Sequence, residues 1–403
     1  MPCSRNEHTA MKTVLLLTPD ITDTSSTKRG EALVAQGCRL LMVGFRRERY
    51  NQDYRPAWPY LLLGRTEDGR YGQRLRTLLR ALTVLAVNRR ILKQADVIYA
   101  RNIDQMILAL FIRLLIGRYV PTVYEVLDIQ PVFVGRSRLS RMIRAAERYA
   151  LNHISLLVLS SPAFLRHYFA GIQGYTRPWF LLENKLSDSV TRNTTVLAGR
   201  SRPERRDGYR WVIAYCGLIR GERTFDLIVR LAERLQGIVL FRFHGVLTTV
   251  DRRRFDEAVA RLDNLVYEGP YVNPRDLAKI YADADFAWAL DLENVEHNSR
   301  WLLPCRFYEA GFFGVPCLAA GGFEVGALVE ELGVGWSFEP SYEETLTHFL
   351  LSLTEKEYAQ RRRQLLEMPV SRFVGNHDMV ALLQALEAAD SPTGAELAAS
   401  EMQ

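Results

Sequence analysis

From Asp283 to Phe338 the chain runs DADFAWALDLENVEHNSRWLLPCRFYEAGFFGVPCLAAGGFEVGALVEELGVGWSF, and few folds accept such a stretch. The apolar run 286–290 reads as a buried strand. A polar loop follows, then a helix over 303–313 closed by Gly314, a second apolar strand over 315–319, and a Gly321-Gly322 turn. Strand, loop, helix, strand, glycine turn is the order of an open parallel sheet. In such sheets ligands bind beside the carboxyl ends of the strands, and helix amino termini aim at anionic groups. Backbone amides from Trp301 through Leu302 to Leu303 are therefore placed to hold phosphate.

The same alternation opens the chain. Residues 12–18 read as a strand, PDITDTSST as a polar loop, 28–36 as a helix ended by Gly37, and 39–45 as a second strand. No G-x-G-x-x-G follows the first strand, so a dinucleotide site there has little support. Residues 50–71, rich in Pro, Gly and aromatics, read as an irregular loop. Residues 72–93 form an Arg-flanked amphipathic helix with Leu75, Leu78, Leu79 and Leu82 at helical spacing. Two readings fit that helix: one lying on anionic lipid, and one docked on the sheet as an ordinary surface helix. Arg101 and Asn102 stand at the carboxyl end of the next strand, 95–100. Residues 187–209 turn abruptly polar and rich in Arg, which marks a linker, and a second alternation starts at 211–216. The expected organisation is two domains, 1–186 and 210–389, with a small, polar, disordered tail over 390–403.

A chain of 403 residues is too long for one ordinary core, which agrees with that division. The longest apolar stretches, 78–87 and 107–116, are broken by Arg80 and Arg113 and too short to span a bilayer. With no leader peptide visible and five cysteines scattered without a CxxC pair, the chain reads as a reduced cytoplasmic protein. Its seven histidines form no metal pattern, and Asp283-Ala284-Asp285 imitates a metal-binding Asp-x-Asp only where a helix turns into a buried strand. No metal or cofactor is implied. The net charge of +6 and a basic set with Lys at only six positions fit nucleic acid, an anionic membrane face or a phosphorylated substrate, without choosing among them.

Several segments taken in order resemble the GT-B glycosyltransferases, above all the retaining family 4. That family carries a Glu, seven residues, a second Glu, then a small-residue helix and a Pro turn with two glycines; here Glu309-Ala310-Gly311 and GVPCLAAGG match the second half, and Trp301 stands where the first Glu belongs. YEVLDIQP at 124–131, Asn184 in WFLLENK, and GLIRGERT after the strand 211–216 match further family segments, although the family's Arg position after Gly217 is Leu218. The pattern NSRWLLPxRxYExG resembles a subgroup associated with succinoglycan-type polymers. The resemblance implies two doubly wound α/β domains facing across a cleft, a UDP- or GDP-type sugar on the second and a lipid-linked saccharide acceptor on the first. It also implies transfer with retention, needing no metal, at the inner membrane face and with no nucleic acid partner. On the donor side it implies roles for Gly217, Arg220 and Arg223 at the diphosphate, for Asn298 and Ser299 at the sugar, for Glu309 at the ribose, and for Gly322 where backbone approaches the donor. Arg220 and Arg223 also fit as exposed charges at a helix start. On the acceptor side Asp20, with Asp23 and Arg29, fits either an acceptor contact or a solvated turn, and Arg101 and Asn102 line the sheet edge. Glu125 and Asp128 are the candidate bases, with a loop cap or a pair with Arg136 as the other role for Asp128.

Two other classes fit the same fold. A sugar-nucleotide epimerase would need acid and base groups near the sugar, and this chain has few; a non-catalytic binding protein is suggested by Trp301 in place of Glu.

Overall fold

The computed structural model describes residues 11–47, 54–66, 80–187, 190, 208–375 and 377–390. The start of the 72–93 helix, most of the 187–209 linker and the tail beyond Asp390 lie outside these residues. Two parallel sheets organise the chain. The first has the order β3-β2-β1-β4-β5-β6-β7 and the second β10-β9-β8-β11-β12-β13. Its strands are β1 Thr13–Thr18, β2 Arg39–Arg47, β3 Tyr60–Thr66, β4 Val97–Arg101, β5 Thr122–Val126, β6 Leu156–Leu159 and β7 Trp179–Leu181. Those of the second are β8 Trp211–Ile219, β9 Val239–Leu247, β10 Leu265–Gly269, β11 Phe286–Trp288, β12 Cys317–Ala320 and β13 Gly335–Phe338. This is the doubly wound pair that the sequence implies.

Continuous apolar strands are needed because helices cover both faces of a parallel sheet. In β1, Val14 and Leu16 enter one apolar cluster with Leu33 and Met42, while Leu15 and Leu17 enter another with Met106 and Ile112. Leu33 belongs to helix α1, Thr24–Ala35, and Met106 and Ile112 to helix α2, Ile103–Ile116, one on each side. In the second domain Phe286, Ala287 and Trp288 of β11 are wholly buried, and Phe286 meets Trp211 and Tyr358 edge-on. Each sheet reverses direction beside its first strand, between β1 and β4 and between β8 and β11. Both reversals open a crevice at the carboxyl ends of the strands, and the two crevices face one another.

Two expectations need correction. Part of the loop expected over 50–71 is β3, which pairs in parallel with β2 at the sheet edge. Among its residues 60–65 Leu63 alone is buried, so it lacks the unbroken apolar signal of an inner strand. The domain boundary also shifts. The last helix, labelled α8 below, runs Asp378–Asp390, inside the stretch expected to belong to the second domain, yet Met379, Leu382 and Leu386 pack with Val14, Leu16 and Val158 of the first. Spacing of three and four residues gives this helix one apolar stripe, and the open face of the first sheet is where it is buried. Among the described residues, no helix is long and apolar enough to cross a membrane.

Because Leu382 is wholly buried in the first domain's cluster, Leu382→Ala is expected to cost roughly 2–5 kcal/mol. Urea unfolding monitored by exchange protection in β1 and β6 checks it: loss confined to the second domain would contradict the packing.

Candidate functional site

The floor of the first crevice is built from charge. Arg101, at the end of β4, is 0% exposed; its Nε donates to Glu125 Oε2 at 2.9 Å, its Nη1 to Ser26 at 2.9 Å and its Nη2 to Ser25 at 2.6 Å. Arg29 of α1 grips the same Glu125 carboxylate at 2.7 and 3.2 Å. Burial alone would raise the Glu125 pKa, but Arg101 and then Arg29 outweigh it and hold the group at about 2. Buried, held by three guanidinium N–H bonds and kept ionised far below neutral pH, Glu125 is a poor proton acceptor, and the expectation of it as a base gives way to a structural role. Arg101, expected at the acceptor, is corrected likewise: fully buried, with its guanidinium turned to Glu125, Ser25 and Ser26, it shapes the crevice floor from beneath. Asp20 accepts from the N–H and hydroxyl of Thr22 at 2.9 and 2.8 Å, closing a local turn. Asn102 is different. It holds φ at +72°, unusual for a residue with a side chain, and its Oδ1 accepts from the Leu127 N–H at 3.3 Å, shaping the loop that presents Asp128.

That loop meets the second domain. Asn298, 5% exposed, donates its amide to Asp128 Oδ1 at 3.0 Å and accepts the Ile129 N–H at 2.9 Å. Asn298 begins a short turn of helix, α5, Asn298–Trp301, whose last residue leaves its own domain's core. Trp301, 9% exposed, enters the first domain's apolar cluster with Phe164 and Tyr168 and stacks on His167 at 5.4 Å. The Trp301 carbonyl accepts from Ser161, and the Leu303 carbonyl from Asn184 at 3.2 Å. The substitution at position 301 thus replaces a polar ligand contact with a hydrophobic seam between domains. The helical turn itself withdraws two of the amides expected to hold phosphate, since the N–H groups of Trp301 and Leu302 bond to the carbonyls of His297 and Asn298. Leu302 packs on the first domain's cluster, Leu303 is buried in the second, and Ser299 accepts from the Asn294 N–H at 3.1 Å inside the loop.

Across from Asp128 lies the turn after β8. Gly217 is still inside β8, which runs past the expected end at 216 to Ile219; it pairs with Gly245 of β9 and has φ +111°. Gly221, beyond the strand, has φ +82°; both conformations favour glycine, and a β-carbon on Gly245 would lie 1.7 Å from the Gly217 carbonyl oxygen. Arg220 is bound by Asp291 at 2.9 and 3.1 Å and lies 3.4 Å from Glu293. Arg223 is exposed on helix α4, Glu222–Arg234, and lines a cavity of about 500 Å³ with Thr249, Glu293, Asn294 and His297. Glu309, on the buried face of α6, Cys305–Phe312, accepts from Asn273 at 2.6 Å and Tyr281 at 3.3 Å. Burial raises its pKa, with Lys28 of the first domain opposing. Gly322, at φ +69°, offers its carbonyl to Arg300 at 3.3 Å before helix α7, Glu324–Leu332. Asp128 is solvent-exposed at the crevice; the protein packed around its carboxyl pushes its pKa up, while the Asn298 hydrogen bond and the Arg220 charge pull it down.

Of the residues expected at the site, the structure brings Asp128, Asn298 and Arg220 near one another, and leaves Glu309 buried in the second domain and Gly322 beside Arg300. Sequence reasoning missed the lysine at position 28, the Asp291 partner of Arg220, and Arg306. The last had a signal, a lone cation in the apolar run CRFYEAGFF.

Two parallel α/β domains facing across a crevice, each with its ligand edge at a sheet reversal, define the GT-B glycosyltransferase fold. Solved structures agree: HepE of Anabaena, crystallised with UDP and glucose, is 16% identical with a TM-score of 0.68 over 94% of this chain and 100% of that one. Sucrose-phosphate synthase of Thermosynechococcus elongatus is 13% identical with a TM-score of 0.66 over 93% of this chain and 98% of that one. No family model matches the chain. It is 33% identical over 357 residues, 88% of each protein, to the succinoglycan biosynthesis protein ExoL of Rhizobium meliloti (strain 1021), and it belongs to the ExoL family.

Replacing Glu125 by Gln leaves Arg101 buried without its counter-charge, and a loss of about 3–5 kcal/mol is expected in urea unfolding at neutral pH. The sign follows from the lowered pKa. The native carboxylate's contribution is complete above its ordinary 4.5 and fades as pH falls toward about 2, so the difference between wild type and variant should shrink over that range.

Proposed function

We propose that this glycosyltransferase moves a hexosyl unit from a nucleotide-diphosphate sugar of the UDP or GDP type to a lipid-linked saccharide in bacterial exopolysaccharide assembly. The observation that carries this reading is Asp128 held by Asn298 across the crevice, opposite the Gly217–Gly221 turn and its arginines. The name of the ExoL relative and the UDP and glucose held by HepE support the choice of substrate class.

In this reading the nucleotide diphosphate lies along the carboxyl ends of β8 and β12. Gly217 and Gly322 let it approach the backbone, Arg223 faces its charge, and Glu309 receives the ribose hydroxyls. The acceptor hydroxyl enters over the Arg101–Glu125 floor beside Asn102 and hydrogen-bonds to Asp128. The anomeric C–O bond to the diphosphate breaks, the acceptor oxygen bonds the same face of the sugar, and the departing phosphate oxygen and Asp128 share removal of the hydroxyl proton. Preorganised guanidinium groups stabilise the leaving charge without waiting for solvent to reorganise.

In this reading a lipid-linked acceptor draws the enzyme to the inner face of the membrane. Helix α3, Arg138–Leu151, supports this: Leu139, Met142 and Tyr149 are 59%, 69% and 62% exposed along one stripe, and Arg138 and Arg141 flank it. Met142→Asp is expected to reduce sedimentation with phosphatidylglycerol vesicles severalfold and to leave binding to the nucleotide sugar unchanged; equal sedimentation would remove α3 as the contact.

The transfer itself is tested by release of free nucleotide diphosphate from a nucleotide sugar, which should need a glycolipid extract. Asp128→Asn is expected to lower kcat by about 10²–10⁴-fold with little change in donor affinity. Because the protein packed around it raises the Asp128 pKa and the base must be ionised, wild-type activity should fall with decreasing pH along a limb lying above the ordinary aspartate value, and the variant should lack that limb. Full activity in the variant would end the assignment of Asp128.

A further inference from the structure

Three cations approach the turn between Gly217 and Gly221, and they are not equivalent. Arg220 is matched by two carboxylates: Asp291 takes its Nε and Nη2, and Glu293 stands 3.4 Å from its Nε. A guanidinium so neutralised serves to tie the loop after β8 to the loop after β11. Arg223 is exposed at the outer lip. Arg306 sits at the sheet reversal itself. Its Nη1 donates to the Trp288 carbonyl at the end of β11 at 3.0 Å, and its guanidinium lies 4.5 Å from the centre of the Tyr215 ring on β8. No carboxylate lies within ion-pair distance of it among the described residues. Its Nη2 is also the nearest group to the open side of Gly217, 3.9 Å from where a β-carbon would stand.

We infer that Arg306 is the residue that holds the donor's diphosphate, in the place left by Leu218, and that Arg220 is a loop brace. The geometry favours this division. Tyr215 and the Trp288 carbonyl orient the Arg306 fork before any ligand arrives, so little side-chain freedom is lost on binding. The remaining N–H groups face a glycine whose missing side chain leaves room for phosphate oxygens. An anion there meets a guanidinium that no carboxylate touches, Asp291 acting on it only from beyond contact, whereas at Arg220 it would have to displace Asp291 and Glu293. Leu218 is 43% exposed and contributes no charge to the turn.

The inference rests on the nucleotide-sugar reading of this crevice, and the test separates the two. The full chain is titrated with UDP and GDP by calorimetry, and with uridine and guanosine by saturation-transfer NMR. Wild type should bind one of the diphosphates. In R306Q the affinity for that diphosphate should fall about 10- to 100-fold, the range for loss of a charge-assisted hydrogen bond, with the nucleoside held within about threefold. R306K, which keeps charge without the fork, should fall between. A variant R220Q should lose stability to urea along with affinity for nucleoside and diphosphate alike, since its loss loosens the loops. Equal diphosphate affinity in R306Q and wild type, or parallel loss of nucleoside and diphosphate, overturns the assignment of Arg306. If R306Q unfolds at a lower temperature than wild type, the same ratio measured in R306K decides. A wild-type chain that binds neither diphosphate overturns the nucleotide-sugar reading itself and this assignment with it.

Discussion

A single primary amide joins the two halves of this molecule at the point where their chemistry meets. Asn298 has one acceptor and one donor group to satisfy on the first domain, and Ile129 N–H and the Asp128 carboxylate satisfy both. Buried polar groups left unpaired cost roughly 1–3 kcal/mol each, so the loop carrying Asp128 and the loop carrying Asn298 stabilise each other's positions. Trp301, three residues on, adds apolar burial to the same seam. The distance and orientation of Asp128 toward the turn after β8 therefore depend on an interdomain contact as well as on either domain's own fold.

Charge around the crevice falls into two kinds. Glu125 lies between Arg29 and Arg101, and Arg220 between Asp291 and Glu293. These are closed groups: each buried ion is balanced by neighbours of opposite sign, and the desolvation penalty of one is offset only while its partners stay in place. Such groups give shape. Asp128 and Arg306 are open in the sense that matters for a ligand, the first an exposed carboxylate with one amide partner, the second a guanidinium with a carbonyl and a ring for neighbours. A charged guest stabilised by the open groups leaves the closed ones undisturbed.

Much of the architecture was legible because parallel sheets write themselves as runs of apolar residues separated by polar loops and glycine turns. The strand at 286–288 and its glycine-closed helix appear close to where periodicity places them. β3 was not legible, since an edge strand with one buried residue and neighbouring Pro and Trp looks like a loop. The return of α8 to the first domain was hidden too: its stripe of Met379, Leu382 and Leu386 says that a face is buried and says nothing of against what.

At the site the same limit applies with more consequence. Residue types and spacing pointed to the glycines at the end of β8, the carboxylate in the loop after β5 and the Trp301 departure from the family pattern, because these depend on local backbone demands. Which charges are free was decided only by the tertiary structure. Arg101 reads as a cation at a strand end and Arg306 drew no reading at all, yet the first is sealed beneath α1 by Glu125 and two serines while the second rests on Tyr215 beside an open glycine. Counter-charges come from elements 24 to 96 residues away in the case of Glu125 and 71 in the case of Arg220, and no local pattern encodes partners that only the folded sheet brings together.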